Sequence, residues 1–425
     1  GSEMCIRDSS ACARPENLSG DAATAARECI AAGVSPIEYS SADRPEHDDV
    51  IVDALFGTGL SRPLEGVFAD AVEQIAASGC AVIAMDIPSG VDADTGIAAG
   101  AAVRAQCTVA FVGLKAGYFL GGAPDHCGDI EFTDLDIPQE VPARQSPVMR
   151  RLGLGDIRSA LPARRRTVHK GDNGRLLVIG GGPGMPGAVR MAGEAALRVG
   201  AGLVRLATHP RHAAFVATQV PELIVHEVDA AAALDAAVLG CDAIAIGPGL
   251  GRSPWAAQMC EWALAQPLPL VIDADGLNWL ADSGAIADHH CPRILTPHAG
   301  EAGRLLGRSA GDVQRDRIAA VTALAARYAS TVVLKGARTL ICGPSAAPPR
   351  VCLAGNPGMA SAGTGDVLTG IAGGLLVQTH DAERSANAAV MIHALAGDSA
   401  AAARGERGLI ATDLLDDVQR WANPN

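Results

Sequence analysis

RLLVIGGGPGMPGAVRMAG, residues 175–193, decides the fold. An apolar run ends in a cluster of glycines, and an Ala-rich helical pattern follows at once. An unbroken apolar strand is buried on both faces, and the helix after it carries the chain back over the sheet. That is the repeating unit of a parallel α/β sheet. Gly182, Gly184 and Gly187 also satisfy G-x-G-x-x-G, the fingerprint of a dinucleotide cofactor site. The partner of that fingerprint is missing. Such a site needs an acidic residue about 20 positions on, at the end of the next strand. LVRLAT ends instead in Thr208, His209 and Pro210. Pro183 and Pro186 also remove backbone N–H groups that a phosphate would use. The loop is therefore either a plain strand-to-helix turn or a loop facing a different ligand.

Outward from this stretch the same unit recurs. GLVRLAT, AIAIGPG, LVIDADG, ILTPHAG and STVVLKG each close on a polar or glycine cluster, the end at which open α/β sheets bind ligands. Upstream, DVIVDALFG (49–57), AVIAMDIPSG (81–90) and CTVAFVGLK (107–115) form a separate series of buried strands, with VFADAVEQIAAS as a helix between the first two. Between the series, LDIPQEVPARQSPVMRRLGLGDIRSALPARRRTVHKGDNG holds four prolines and mixed charges and reads as linker. The expected organisation is an α/β domain over 11–148, a linker over 149–165 and a larger α/β domain over 166–425. Residues 1–10 carry no pattern and are set aside as a scar or sequence artefact.

The 425 residues are enough for two to three domains. A formal charge of −13 argues against nucleic acid, which needs clustered cations, and the short run Arg164–Arg166 reads as a solvated loop. No uncharged stretch is long enough to cross a bilayer. Eleven cysteines without a C-x-x-C pair indicate neither a zinc site nor a disulfide framework, and fit a reducing cytoplasm.

The chemistry is carried by NPGMASAGTGDVLTGIAGGLL, residues 356–376. Small residues at 360–365 let successive N–H groups converge at a helix N-terminus, an anion site. Asp366 follows, and the helix dipole favours a carboxylate there and is expected to keep it ionised. A phosphoryl-transfer site needs donors for the charge on the transferred group and a base for the attacking hydroxyl. Gly363, Thr364, Gly365 and Asp366 supply both kinds of group. Alternatively, Asp366 is an ordinary first-turn aspartate. No G-x-x-x-x-G-K-[ST] occurs, so a P-loop enzyme is excluded.

HKGDNGRLLVIGG, MPGAVRMAGEAALRVGAGLV, IGPGLG, VIDADGLN, LTPHAGE, VVLKGART and NPGMASAGTGDVLTG stand in one order along the chain. In this the chain resembles the NAD(P)H-hydrate dehydratases, ribokinase-like enzymes, over about 165–420. DVIVDALFGTGLSRPLEG and AMDIPSGVDADTG resemble the NAD(P)H-hydrate epimerase domain, often fused to the dehydratase in bacteria. The resemblance implies a ribokinase-like α/β/α domain with a mainly parallel sheet, behind a Rossmann-like domain that is partial.

The implied substrates are hydrated NADH or NADPH and ADP or ATP with Mg²⁺. The dinucleotide is thus material for repair rather than a cofactor. Phosphorylation of the ring hydroxyl makes a leaving group, and phosphate then departs. The resemblance makes Asp366 the base, and Gly363, Thr364 and Gly365 the anion hole beside the nucleotide. Lys335, Gly336, Ala337, Arg338 and Thr339 become the adenine-nucleotide segment, and Ala188, Gly249, His298 and Asp366 the contacts to the hydrated dinucleotide. From the residues alone, His298 also fits a helix cap, and Asp273 and Asp275 fit either caps or the site.

In the first domain, Asp53 and Ser89 resemble potassium ligands. Gly57, Thr58, Gly59, Leu60, Ser61, Arg62, Pro63 and Asp86 resemble the substrate contacts. The family's Asn-Asn-Gly-Gly-Asp loop is not found, so epimerisation is expected to be weak or absent and a sheet edge to be exposed. A homo-oligomer and no membrane partner are further expectations. The competing function is a ribokinase-like kinase for a hydroxymethylpyrimidine or sugar alcohol, and a third reading is a non-catalytic nucleotide-binding protein.

Overall fold

The computed structural model describes residues 9–423 apart from 35, 43, 47, 61 and 285–290. The chain divides into two compact units, one ending at Ser146 and the other starting at Pro147.

The N-terminal unit holds β1 (Ser10–Ala11) and β2 (Ile37–Glu38), which pair with each other. Ser10, set aside above with the first ten residues, is thus part of a parallel strand pair. Its main sheet is β3 (Val50–Asp53), β4 (Ala81–Met85), β5 (Cys107–Phe111) and β6 (Asp129–Thr133), parallel and in chain order. The helix Val67–Ser78 crosses from β3 to β4. β3 is an edge strand with Val50 and Val52 exposed.

The C-terminal unit is built on ten strands in the order β10-β9-β8-β11-β12-β13-β14-β15-β16-β7. These are β7 (Arg150–Arg151), β8 (Arg175–Ile179), β9 (Leu203–Thr208), β10 (Ile224–Glu227), β11 (Ala243–Ile246), β12 (Leu270–Ile272), β13 (Arg293–Leu295), β14 (Thr331–Leu334), β15 (Leu340–Cys342) and β16 (Arg350–Val351). From β10 to β14 all pairings are parallel, and β15 turns back antiparallel. The parallel stretch brings the ends of β8, β11, β12, β13 and β14 to one side of the sheet.

Residues 150–161, assigned above to a linker, belong instead to this unit. β7 extends the sheet and the helix Leu154–Ala160 packs on the helix Ala382–Arg404, with Leu152, Ile157 and Ala160 in the core. Three apolar side chains among prolines and arginines leave no legible period, yet they suffice once a ready-made core accepts them.

The helix Thr364–Thr379 lies at the centre. Val367, Leu368, Ile371, Leu375, Leu376 and Val377 are all buried, and the helix is apolar on every side, as a helix enclosed by protein must be. At about 1.5–3 kcal/mol for each buried side chain, this helix is a major anchor of the unit. Gly370 and Gly374, four apart and so on one face, let it approach the helix Pro186–Arg198. A Cβ at Gly370 would lie 2.0 Å from Ala192 O, and one at Gly374 2.5 Å from Val199 Cγ1. Gly363, Thr364, Gly365 and Asp366 thus begin an element that cannot shift without breaking the core.

Among the described residues no helix is long and apolar enough to cross a membrane. The described cysteines are free thiols.

Candidate active site

The glycine run after β8 spends its amides inside the protein. Gly180 N–H donates to Ala207 O, Gly181 N–H to Pro248 O at 3.0 Å, and Gly182 N–H to Gly249 O at 2.8 Å. Thr208 and His212 bond back to the carbonyls of Gly181 and Gly182. A phosphate cradle needs such amides free. The loop is knit instead to the loop after β11, itself tied to the next strand end by Gly251 N–H donating to Asp275 Oδ2 at 2.8 Å. Gly249 sits at φ +55, where a Cβ would lie 2.8 Å from both Ala188 Cβ and Met185 O. The backbone here has no space for a side chain. Ala188 and Gly249 are thereby in contact.

Asp366 lies in the first turn of the helix Thr364–Thr379, whose leading N–H groups have no intrahelical acceptor. Gly363 stands before it at φ +93, with Met191 of the helix Pro186–Arg198 closed over it. The loop is braced behind the site. Thr364 Oγ1 donates to Met359 O and Ser361 O, and His393 Nε2 donates to Thr364 O at 2.9 Å. Asp398 takes Gly355 N–H and Asn356 Nδ2, both at 2.9 Å. Both braces come from the helix Ala382–Arg404.

Sequence places no cation beside Asp366, but the fold supplies one. Lys335, at the end of β14, donates to Asp273 Oδ1 at 2.6 Å, with Glu301 Oε2 3.8 Å from its Nζ. Thr369, one turn past Asp366, donates to Asp273 Oδ2 at 2.6 Å. A Cβ on Gly365 would lie 3.5 Å from Lys335 Nζ and 3.7 Å from Asp273 Oδ2. Lys335 is thus set among three carboxylates, Asp273, Glu301 and Asp366, directly under the helix N-terminus.

Electrostatics follow from that packing. Burial alone would raise the Asp273 carboxyl, but Lys335 and the hydrogen bonds from Lys335 and Thr369 hold it below its ordinary range. Burial would lower Lys335, and Asp273 and Glu301 outweigh it and hold the ammonium charged. Asp366 departs from the expectation that the helix dipole keeps it ionised. Burial, then the negative charge of Asp273, push its carboxyl up to about 7. Desolvation exceeds the dipole, which acts only within the first turn. Burial likewise moves Glu301 up to about 7. A base with such a value accepts a proton efficiently near neutral pH.

The other expected residues fall in two groups. After Lys335, Gly336, Ala337, Arg338 and Thr339 make a turn closed by Thr339 Oγ1 donating to Gly336 O. Arg338 bonds Leu353 O and receives its own brace from Arg317. His298 is the N-cap of the helix Ala299–Leu306. Its Nδ1 accepts from Gly300 N–H at 2.9 Å, and Glu301 accepts from His298 N–H at 2.8 Å. Its Nε2 lies 3.4 Å from Glu301 Oε1, and the side chain is 59% exposed.

Glu301, Thr369, His393 and Asp398 were missed by sequence reasoning. Glu301 and Thr369 each stand three residues after a singled-out residue, His298 and Asp366, and that spacing was a usable signal. His393 and Asp398 sit in an Ala-rich helix and gave none.

In the N-terminal unit Asp53 is 1% exposed at the end of β3. It accepts from Ser89 N–H at 2.8 Å, Ser89 Oγ at 2.7 Å and Leu55 N–H at 3.3 Å. Burial raises its carboxyl above the ordinary range. Asp86, at φ +66, is paired with Lys115, and a Cβ on Gly57 would be 3.5 Å from Asp86 Oδ2. Gly57 therefore faces Asp86. Thr58, Gly59, Arg62 and Pro63 are exposed, while Leu60 packs on the local core. Ser61 lies outside the described residues.

A mainly parallel sheet with helices on both sides, and an aspartate among open amides at a helix start, define a ribokinase-like enzyme. Residues 176–420 match the family model described as NAD(P)H-hydrate dehydratase, and residues 3–117 that of the YjeF-related protein N-terminus. The second match begins inside the ten residues set aside above. The bifunctional NAD(P)H-hydrate repair enzyme Nnr of Coxiella burnetii is 44% identical over 96% of this chain and 82% of its own length. That of Escherichia coli K12 is 40% identical over 95% and 77%. A solved ribokinase-like superfamily protein from Enterococcus faecalis superposes with a TM-score of 0.61 at 30% identity, over 65% of this chain and 96% of that one. The ADP/ATP-dependent NAD(P)H-hydrate dehydratase of Bacillus subtilis, crystallised with ATP and Mg²⁺, gives 0.57 at 28%, over 64% and 97%. The chain belongs to the family of bifunctional NAD(P)H-hydrate repair enzymes.

Proposed function

We propose that the C-terminal unit dehydrates the S epimer of NAD(P)H hydrate at the expense of ADP or ATP, with Asp366 as the base. One observation carries this: a carboxyl with a value of about 7 at the head of a helix whose amides are open, one turn from Thr369 and beside Lys335. Asp366 takes the proton of the C6 hydroxyl as its oxygen attacks the terminal phosphoryl group, and AMP or ADP leaves. The open amides of Gly363, Thr364 and Gly365 receive the charge on the transferred group. The ring nitrogen's lone pair then expels inorganic phosphate, and loss of a C5 proton restores the double bond. Lys335, held charged by Asp273, offsets negative charge arriving beside Asp366.

Mg²⁺ fits as a companion of the nucleotide. No cluster of three His, Cys, Asp or Glu side chains able to hold a metal occurs among the described residues, so phosphate oxygens and water would be its main ligands. When bound, it neutralises phosphate charge. ADP is the preferred donor in this reading.

The N-terminal unit is read as the epimerase half, interconverting R and S hydrates beside Asp86. Potassium fits the oxygen-rich corner of Asp53, Ser89 and the Phe56 carbonyl, since the buried carboxylate receives only N–H and O–H donors there. Homo-oligomerisation rests on the resemblance. A cytoplasmic setting rests on the scattered free thiols.

Mixing the protein with hydrated NADH and ADP tests the assignment. Recovery of the reduced-nicotinamide absorbance with stoichiometric phosphate release supports repair. A stable phosphorylated product would point to the small-molecule kinase instead. Epimerisation of the R and S hydrates is measured in parallel.

A further inference from the structure

Thr364 stands between two glycines at the start of the helix Thr364–Thr379, so the peptide joining it to Gly365 meets little steric resistance to rotation. That peptide is one rigid plane, with its C=O and N–H pointing in opposite directions. Fixing one end therefore aims the other. The N–H end belongs to Gly365, a leading amide without an intrahelical acceptor. A turned-over peptide would present the Thr364 carbonyl in its place, a negative dipole facing an anionic ligand. Catalytic use of this amide thus requires a group that holds the carbonyl.

The helix Ala382–Arg404 supplies that group. His393 Nε2 lies 2.9 Å from Thr364 O, and a carbonyl only accepts, so Nε2 carries the proton. Among the described residues it is the side-chain donor to this oxygen. Burial pushes the imidazole down to about 4, with the charge of Lys335 in support and the Thr364 bond in opposition. The ring is therefore a neutral donor, which leaves Lys335 as the positive charge it has beside it. Further along the same helix, Asp398 takes Gly355 N–H and Asn356 Nδ2, each at 2.9 Å, and Asn356 Oδ1 takes Gly358 N–H at 3.0 Å. One helix, buried over much of its length, thus fastens both ends of the segment 355–364.

We propose that His393 is a positioning residue for phosphoryl transfer: by holding the Thr364 carbonyl it aims the Gly365 N–H at the transferred group. The inference rests on the reading of the Asp366 loop as the phosphoryl-transfer site. His393 touches no reacting atom in it and acts through one peptide plane.

Steady-state dehydration of hydrated NADH with ADP, measured on the full chain, tests this with three variants. His393→Phe keeps a ring and has no N–H. The amide nitrogen of His393→Gln reaches the place of Nε2, whereas that of His393→Asn ends near the place of Nδ1. His393→Phe should lower kcat by about tenfold to a hundredfold with the KM for the hydrate unchanged, the cost of a catalytic group misplaced by about 1 Å. His393→Gln should restore most of kcat and His393→Asn none of it, and this pair decides the matter if the Phe variant does not fold. A histidine of purely structural value would lower Tm and leave kcat per folded molecule at the wild-type level in all three, which would overturn the proposal. So would a loss of kcat equal in the Gln and Asn variants, or a loss that appears only in KM. Wild-type protein that releases no phosphate would bring down the functional reading and this inference together; wild-type turnover with undiminished kcat in His393→Phe overturns this inference alone.

Discussion

Replacing Lys335 by methionine removes the cation that pairs with Asp273, a carboxylate 1% exposed and held ionised by that contact at 2.6 Å. Taking away one partner of a buried ion pair costs about 3–5 kcal/mol, because the surviving charge stays in the interior uncompensated. Thr369 still donates to the other oxygen of Asp273, which favours the lower part of that range. In a domain of this size each kcal/mol moves the midpoint by about 2–4 °C. The C-terminal unit's Tm should therefore drop by about 6–20 °C. The pH of the measurement matters. Asp273 has a folded-state value below its unfolded one, so the pair's contribution is present above the unfolded range and is lost as pH falls through the folded value. Scanning calorimetry at about pH 8 therefore sees the whole effect. The double variant Asp273→Asn/Lys335→Met removes both members of the pair and should lose less than the two single changes added together. A Lys335→Met midpoint within about 2 °C of wild type, or strict additivity in the double variant, would refute the pairing as the structural basis of the site.

Dehydration should titrate with Asp366, whose carboxyl stands at about 7. Since the base must be ionised, kcat falls as pH drops through that value, reaching about a tenth of its plateau one unit below; a kcat flat from about pH 6 to 8 speaks against it. Gly249→Ala places a Cβ 2.8 Å from Met185 O at φ +55, so a strain of about 1–3 kcal/mol is expected, read as a lower Tm and a raised KM for the hydrate. Asp53→Ala strips the acceptor from Ser89 and Leu55, costing the N-terminal unit about 1–3 kcal/mol in denaturant unfolding and removing any epimerisation.

The strand–helix alternation was open to reading because most of the central parallel strands are apolar runs closed by a glycine or proline cluster, whereas β6 (DIEFT) and β10 (IVHE), with polar residues inside them, gave no such signal. VFADAVEQIAAS is the helix Val67–Ser78 to the residue, and the glycine spacing in DVLTGIAGGLL encodes the helix contact at Gly370 and Gly374. The linker was misjudged because Leu152, Ile157 and Ala160 acquire meaning only against a core assembled from distant segments. The same limit applies to charge. Lys335 is 31 residues before Asp366, and Asp273 is 96 before Thr369, so their convergence is a property of the sheet and not of any motif. Desolvation is likewise a tertiary quantity, which is why the helix dipole alone gave the wrong direction for Asp366.

Asp366→Asn bears most directly on the central claim. The wild-type carboxyl is ionised against its surroundings at about pH 8, because burial and Asp273 both oppose the charge. The neutral amide should therefore leave Tm equal or higher, while recovery of NADH from its hydrate with ADP falls by about 10²–10⁴-fold, the usual contribution of a general base. A folded Asp366→Asn protein that restores NADH at near the wild-type rate would contradict the account.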